Sequence, residues 1–275
     1  MSRSGVEIQA MQQKLKAAWA DVAESRKFAS LIHILGWQDM RHRYRRSLLG
    51  PFWLVGSTAA LVATICLLLG PMFGIPAAQY VPYVAGGMIV WNLIVSMVTE
   101  SCQAFISEST MIRQTSAPLF TYVARVAWRN TLFFAHNLVI FPVALWLSGA
   151  HTNWNALLAV PGFLLLMANL AWMGLVLGIL AARYRDLPKT IESVIPVMMF
   201  LTPIMWKPEM MPFRIGARIL QFNPFYWLID LVRLPLMGGI PPGKVWLAAA
   251  LAAVVGWVIA LVIFARSRDR IVYWL

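Results

Sequence analysis

The sequence is poor in charge and poorest in acid: only 12% of its 275 residues are Asp, Glu, Lys or Arg, and Asp and Glu together number 11. A soluble domain carries about 25% charged residues, so this chain cannot cover a water-facing surface. Soluble enzymes and soluble binding modules are excluded on that ground. The acids Glu100, Glu192, Glu209 and Asp230 are scattered, and His33, His42, His136 and His151 show no ligand spacing, which leaves no metal site and no catalytic carboxylate pair in view. Cys66 and Cys102 both fall inside apolar runs and read as buried small hydrophobes rather than as a disulfide. A phosphate-binding loop is missing too. GGIPPGKV at 238–245 approaches the pattern, but Val245 stands where Ser or Thr is required and two prolines interrupt the loop. Any ATP hydrolysis must be supplied by another chain.

What the sequence has instead is 60% hydrophobic residues arranged in long runs. A membrane span needs about 20 mostly apolar residues, and six stretches qualify or nearly so: about 51–74, 80–104, 130–148, 155–182, 190–206 and 245–265. The reading is an all-α integral membrane protein of six transmembrane helices. The connectors GIPAAQ and GAHTNWN contain no Lys or Arg, whereas nine basic residues precede residue 50. Others cluster at Arg113, Arg125 and Arg129, at Arg183, Arg185 and Lys189, and at Arg266, Arg268 and Arg270. That alternation places both termini in the cytoplasm, with a cytoplasmic tail at 266–275. The net charge of +12 is then a matter of anionic lipid, since no soluble nucleic-acid module accompanies it. Met1 to Lys27 lacks the charged start and apolar core of a cleavable signal, so insertion is expected to rely on the first span.

Residues 1–50 carry apolar positions at helical spacing, Ile8, Met11, Leu15, Trp19 and Val22, then Phe28, Leu31, Ile32 and Leu35. Two amphipathic helices along the inner surface are expected. They end in RHRYRR, four arginines and a histidine, just before Gly50-Pro51 permits a change of direction into the membrane. Topology anchoring accounts for the charge, and each basic residue near anionic headgroups contributes about 1 kcal/mol. SESTMIRQTSAP, 107–118, is a short polar segment long enough for about two helical turns, a compact knob on the same side.

The stretch 207–241 breaks the charge rule, with five basic residues from Lys207 to Lys244, and is too apolar for a free loop. Two short helical pieces fit it, the second capped by Asn223 with Pro224 in the first turn and ending at Gly238-Gly239. Neither is long enough to cross, so a re-entrant hairpin in the outer leaflet is expected. His136, beside Asn137 in mid-span, fits an interhelical hydrogen bond better than a proton relay. Of 13 tryptophans, Trp53, Trp146, Trp154, Trp206 and Trp246 stand at span ends, as an interfacial belt does, while Trp91, Trp172 and Trp257 lie deeper. Aromatic faces also suit sugar rings.

These pieces in order, RYRRSLLGPFWL (43–54), ESCQAFISESTMIRQTSAPL (100–119), VAWRNTLFFAHN (126–137), ARYRDLP (182–188), FLTPIMWKPE (200–209) and NPFYWLIDLVRLPLMG (223–238), resemble the membrane subunit of ATP-binding-cassette exporters of O-antigen and related bacterial polysaccharides. The resemblance implies a homodimer in the bacterial inner membrane, with two cytoplasmic ATPase subunits that bind the ATP and Mg. This chain itself would hold no cofactor and would not be an enzyme. It implies an undecaprenyl-linked glycan as substrate, whose pyrophosphate Arg43, Arg45 and Arg46 would meet in the inner headgroup layer. It implies ATPase coupling through Ser109, Met111, Ile112 and Arg113, with Arg185 and Asp186 as a second contact, and an outer gate formed by Asn223, Pro224, Phe225, Tyr226 and Arg233. A polar chain cannot cross hydrocarbon unaided. The first and fifth spans are therefore expected to line a conduit, through Phe52, Trp53, Gly56, Ser57, Met199, Phe200 and Trp206. Two alternatives stand beside this reading: an ATP-driven permease for another amphiphile such as teichoic acid or lipo-oligosaccharide, and an ion-coupled transporter, which the shortage of midplane acids disfavours.

Overall fold

A computed structural model of the chain describes residues 3–44, 51–210, 220 and 222–275, and the described residues are helical throughout apart from turns and short links. Helices α1 (Arg3–Glu24) and α2 (Ala29–Tyr44) precede α3 (Pro51–Phe73) and α4 (Ala77–Gln103). The short α5 (Ser109–Gln114) leads to α6 (Phe120–Asn137), α7 (Ile140–Ser148) and α8 (Ala159–Arg183). Then come α9 (Leu187–Leu201), α10 (Pro224–Leu236) and α11 (Gly243–Trp274). Among the described residues, five helical stretches have the length and composition to cross a membrane: Val55–Phe73, Ala77–Gln103, Phe120–Ser148, Trp154–Arg183 and Gly243–Trp274. The chain is a multi-pass membrane protein.

Three spans differ in their bounds from the sequence reading, and proline accounts for the breaks in two of them. The third span begins at Phe120 rather than 130, and its helix breaks at Leu138-Val139. Pro142 cannot donate to the Leu138 carbonyl, so one helix becomes two. The fifth stretch, expected over 190–206, is helical only to Leu201, 15 residues in all. Thr202 precedes Pro203 and is pushed into the extended region, φ −99° and ψ 131°, which ends α9. At 1.5 Å per residue α9 is about 22 Å long, short of the roughly 30 Å of hydrocarbon. At the other end, α11 does not stop at 265 but runs unbroken through Asp269 to Trp274.

The core forms around α4, the most buried of the spanning helices, which packs on α3, α6, α7, α8, α9 and α10. Van der Waals packing, not hydrophobic exclusion, holds helices together in lipid, so close approach matters. The closest approach to backbone is at Gly162 of α8, where an added methyl would stand 2.1 Å from the Leu231 carbonyl oxygen of α10. By contrast α3 and α9 leave large apolar side chains exposed, Leu61, Leu67, Leu68 and Met72 on one and Val194, Val197, Phe200 and Leu201 on the other.

The N-terminal helices are docked rather than free. On α1 the inward residues are Ala18 and Asp21, followed by Ser25 just past its end, with Met11, Leu15 and Val22 half-buried, while Trp19, expected on the apolar face, is exposed. The Asp21 carboxylate accepts hydrogen bonds from the Leu119 and Phe120 amides at 3.2 and 3.0 Å, capping α6 from another helix, and pairs with Arg268 of α11 at 3.0 Å. An anion there offsets the unpaired amides and the positive end of the α6 dipole.

Gly162→Ala tests this packing. Alanine is the better helix former by about 1 kcal/mol, whereas overpacking costs about 1–3 kcal/mol. The clash with backbone that cannot rotate away should win, lowering the melting temperature of the purified protein in detergent by several degrees. An unchanged or raised value would contradict the fit of α8 on α10.

Candidate functional site

Two polar joints fasten the bundle, one at each end. At the end that carries α1, α2 and α5, here the basic end, Asp39 of α2 is shared by two arginines of α6. Arg125 grips it in a fork, Nε at 2.9 Å and Nη2 at 2.6 Å, and Arg129 Nη1 donates at 2.8 Å. Arg125 and Arg129 stand four residues apart on α6, so one face presents both guanidiniums. Each arginine reaches a second acid: Arg125 to Glu108, just before α5, at 3.1 Å, and Arg129 to Glu100 of α4 at 2.8 Å. Asn130 donates to the same Glu100 oxygen at 2.7 Å. The result is a chain, Glu108, Arg125, Asp39, Arg129, Glu100, Asn130, that ties α2, α4, α6 and the start of α5 together. The ion-pair side chains are 15–25% exposed, dry enough for charge-assisted bonds to be strong. Beside it Trp128 stacks near His33 at 5.1 Å and lies over Gly36, where a side chain on α2 would collide.

A cavity of about 580 Å³ opens against this chain, lined also by His42, Gln103 and Glu192. Its acids, Asp39, Glu100, Glu108 and Glu192, outnumber its two arginines, and both arginines are already paired. It has no spare guanidinium to offer an anion.

The far-end joint solves a backbone problem. Once α9 ends at Leu201, the carbonyls of 203–206 lack helical donors, and hydrocarbon supplies none. Tyr83 of α4 donates to the Pro203 and Trp206 carbonyls, each at 3.0 Å, Tyr80 donates to Met205 O, and Arg233 of α10 donates to Pro203 O at 2.7 Å. Arg233 is fully buried, paired with Asp230 one turn earlier and placed 4.0 Å from the Tyr83 ring centre, a cation–π contact. Gly86 and Gly87 leave room for it on α4. Asn223 caps α10 through Phe225 N at 3.0 Å and also donates to Thr202 Oγ1 at 3.0 Å. Phe225 meets Trp91, mid-way along α4, edge-on, while Asn153 and Asn155 donate to Gly238 O beyond the other end of α10.

The residues singled out from sequence fall differently. In α5, Ile112 is buried in the core and Met111 half-buried, so neither is a free docking surface. Thr110, Arg113 and Gln114 are the exposed ones, with Ser109 half-buried. Arg185 donates to the carbonyls of Trp274 and Leu275, at 2.9 and 3.3 Å, and Asp186 is exposed at the start of α9. Arg43 lies in the last turn of α2, while Arg45 and Arg46 lie outside the described residues. Phe52 is in the first turn of α3, where Trp53, Gly56 and Ser57 are exposed. On the fifth stretch Phe200 is exposed, Met199 is half-buried, and Trp206 donates its indole N–H to Phe200 O at 3.1 Å. Of the far-end set, Pro224 is exposed and Tyr226 half-buried, and Arg233 is a locked structural charge. The first piece of the expected hairpin falls largely on 211–219, outside the described residues. His136 Nδ1 lies 2.8 Å from Leu132 O of its own helix. Among the described residues, no group of three His, Cys, Asp or Glu side chains is placed to hold a metal.

The ion-pair chain was missed in the sequence. Arg125 and Arg129 read there as loop charges and Glu100 as a stray acid. The available signal was partial: Glu100, Glu108, Arg125 and Arg129 stand near predicted span ends, whereas Asp39 lies 12 residues before the first span.

Both joints fall within residues 30–237, which match the family model of the ABC-2 type transporter. The chain belongs to the ABC-2 type transporter family, and so is a membrane component of a transporter. Among curated proteins it is 21% identical over 212 residues to the O-antigen export system permease protein RfbA of Klebsiella pneumoniae, covering 76% of this chain and 81% of that one. A second K. pneumoniae protein of the same name is 20% identical over 211 residues, with the same coverage.

Asp39→Ala leaves each arginine with one carboxylate, Glu108 or Glu100, but removes the ion pairs that join α2 to α6. The variant should insert normally, yet its α2 amides should exchange with deuterium at least tenfold faster, while Asp39→Glu retains most of the protection. Equal exchange in wild type and Asp39→Ala would show that the chain of pairs does not hold α2.

Proposed function

We propose that this chain is the permease subunit of an ATP-driven exporter that carries an undecaprenyl-linked polysaccharide, of O-antigen type, from the cytoplasmic to the outer face of a bacterial inner membrane. The observation that carries the reading is the match of about three quarters of the chain to two O-antigen export permeases, beside the family match over residues 30–237, which takes in both joints. The subunit contributes no chemistry of its own; ATP and Mg are bound by a partner ATPase.

In this reading the basic end is cytoplasmic, which agrees with the excess of Lys and Arg there. Two copies associate and two ATPases dock beneath, against the exposed edge of α5 (Thr110, Arg113, Gln114) and the turn at Arg185 and Asp186. The sixth crossing is α9 continued by 202–206: α9 starts beside the end of α8, and the unwound carbonyls reach Tyr80 and Tyr83 near the opposite end of α4. The re-entrant hairpin is supported by α10, which starts at the depth of Trp91 and ends at the loop holding Asn153. The exposed apolar faces of α3 and α9 suit lipid and a second copy, and the glycan would pass between α3 and α9 of the two subunits. The lipid pyrophosphate belongs to the RHRYRR segment, since the arginines of the nearby cavity are already paired.

Deleting the gene should abolish the cell's surface polysaccharide and leave lipid-linked glycan on the cytoplasmic side, with export restored by the wild-type chain. Surface polysaccharide at its normal level in the deleted strain would refute the reading.

A further inference from the structure

A second cavity, of about 350 Å³, lies between α3, α4 and α6, within the roughly 300–1,000 Å³ of ligand pockets. It is deep in the membrane. Asn92, on its wall, is about ten residues or more from either end of α4, hence about 15–20 Å from each. Its polar lining is Ser57 and Thr58 of α3, Asn92 and Ser96 of α4, and Asn130 and Asn137 of α6. Among the described residues no charged side chain lines it, so the chemistry of its described lining is neutral, in contrast to the acid-rich cavity at the basic end.

Two of these side chains are incompletely satisfied within the protein. Asn137 donates through Nδ2 to Phe133 O at 3.0 Å, and Asn130 through Nδ2 to Val126 O and Glu100. Carbonyl and carboxylate oxygens only accept, so both amide nitrogens are fixed on those partners and both Oδ1 atoms are left over. Asn130 is 1% and Asn137 6% exposed, and neither Oδ1 has a hydrogen-bond partner in the protein. A buried acceptor left unpaired is unfavourable; both Oδ1 atoms are closed to water in this structure, so a donor reaches them only where the groove widens around them. Asn92 bonds Thr58 Oγ1 at 3.2 Å and Ser96 bonds Asn92 O at 2.6 Å, which orients the opposite wall. Phe133 and Phe134 supply flat apolar surface beside the polar groups.

The groove is not isolated. On α4, Asn92 and Ser96 face it, while Thr99, Glu100 and Gln103, further along the same helical stripe, face the basic-end cavity. One polar track therefore leads from the basic end to mid-membrane. We infer that this groove is a hydroxyl-binding site for a neutral sugar residue of the exported chain, with the Asn130 and Asn137 carbonyl oxygens accepting from sugar hydroxyls and the phenylalanine rings meeting the apolar ring face. The inference rests on the exporter reading and adds, beside the conduit between the two subunits, a side groove on α3, α4 and α6 of each.

The test uses the permease with its ATPase in glycan-producing cells, on a background in which Cys66 and Cys102 are replaced. Ser96→Cys should react with methanethiosulfonate ethylammonium when glycan synthesis is blocked. It should be protected at least fivefold when glycan is made and held by a hydrolysis-deficient ATPase. Equal labelling in the two states means that the groove holds water only and overturns the site, as does inertness in both. Separately, Asn137→Leu removes an acceptor that makes no bond to another helix, so the variant should insert and retain its ATPase while export falls about fivefold, the value of one hydrogen bond of about 1 kcal/mol. Wild-type export by Asn137→Leu also overturns the site. If deletion of the whole gene leaves surface glycan unchanged, the exporter reading fails; if deletion abolishes it and these two results go against the groove, the groove alone fails.

Discussion

Hydrocarbon offers no hydrogen bonds, and that constraint orders the rest of the structure. Charges and unwound peptides inside the bundle must find partners within the protein, most of them on another helix. The half-buried Asp39 carboxylate, held by Arg125 and Arg129, is the clearest case: without the arginines it would be an unpaired charge against the bundle, and without it α2 would lose its ion pairs to α6. The same two arginines extend the bond to Glu108 and Glu100, so the segment beside α5, the surface helix α2 and two spans share one set of pairs. Asp21 adds α1 and α11 by capping α6 and pairing with Arg268. A push on α5 is thereby delivered to several elements at once, rather than to a loop.

The far-end joint obeys the same rule with backbone in place of charge. Pro203 forces Thr202 out of the helix, and the carbonyls set free are taken by Tyr80, Tyr83 and Arg233. Arg233 can be fully buried because Asp230 neutralises it and the Tyr83 ring lies under it. Buried pairs are costly to desolvate and weak evidence for stability. Their value here is geometric: they fix where the unwound segment sits against α4 and α10.

Much of this was legible in the sequence. Hydropathy marked α3, α4, α8 and most of α11, and Asn223-Pro224 announced the start of α10, because caps and prolines act locally. What was not legible depends on partners distant in sequence. Arg125 and Arg129 looked like loop charges because nothing local says that Asp39, some 90 residues earlier, will meet them. Trp19 sits at a position that fits an apolar face, yet Asp21 takes the buried place because α6 needs an anion at its start. The polar track on α4 was hidden for another reason: Asn92, Ser96, Thr99 and Gln103 are diluted by apolar neighbours in any window average, and only the 3.6-residue turn brings them to one side.

The central claim is that α2 and α5 move as one body because the Asp39 pairs join them through Arg125. Spin labels at Gln38 on α2 and Gln114 on α5, in the complex with its ATPase, measure this directly by their separation without nucleotide and with ATP trapped. The account predicts a separation that stays the same between the two states in the wild type and changes or broadens in Asp39→Ala. A separation that shifts by several ångströms in the wild type, or that is indifferent to Asp39→Ala, would contradict it.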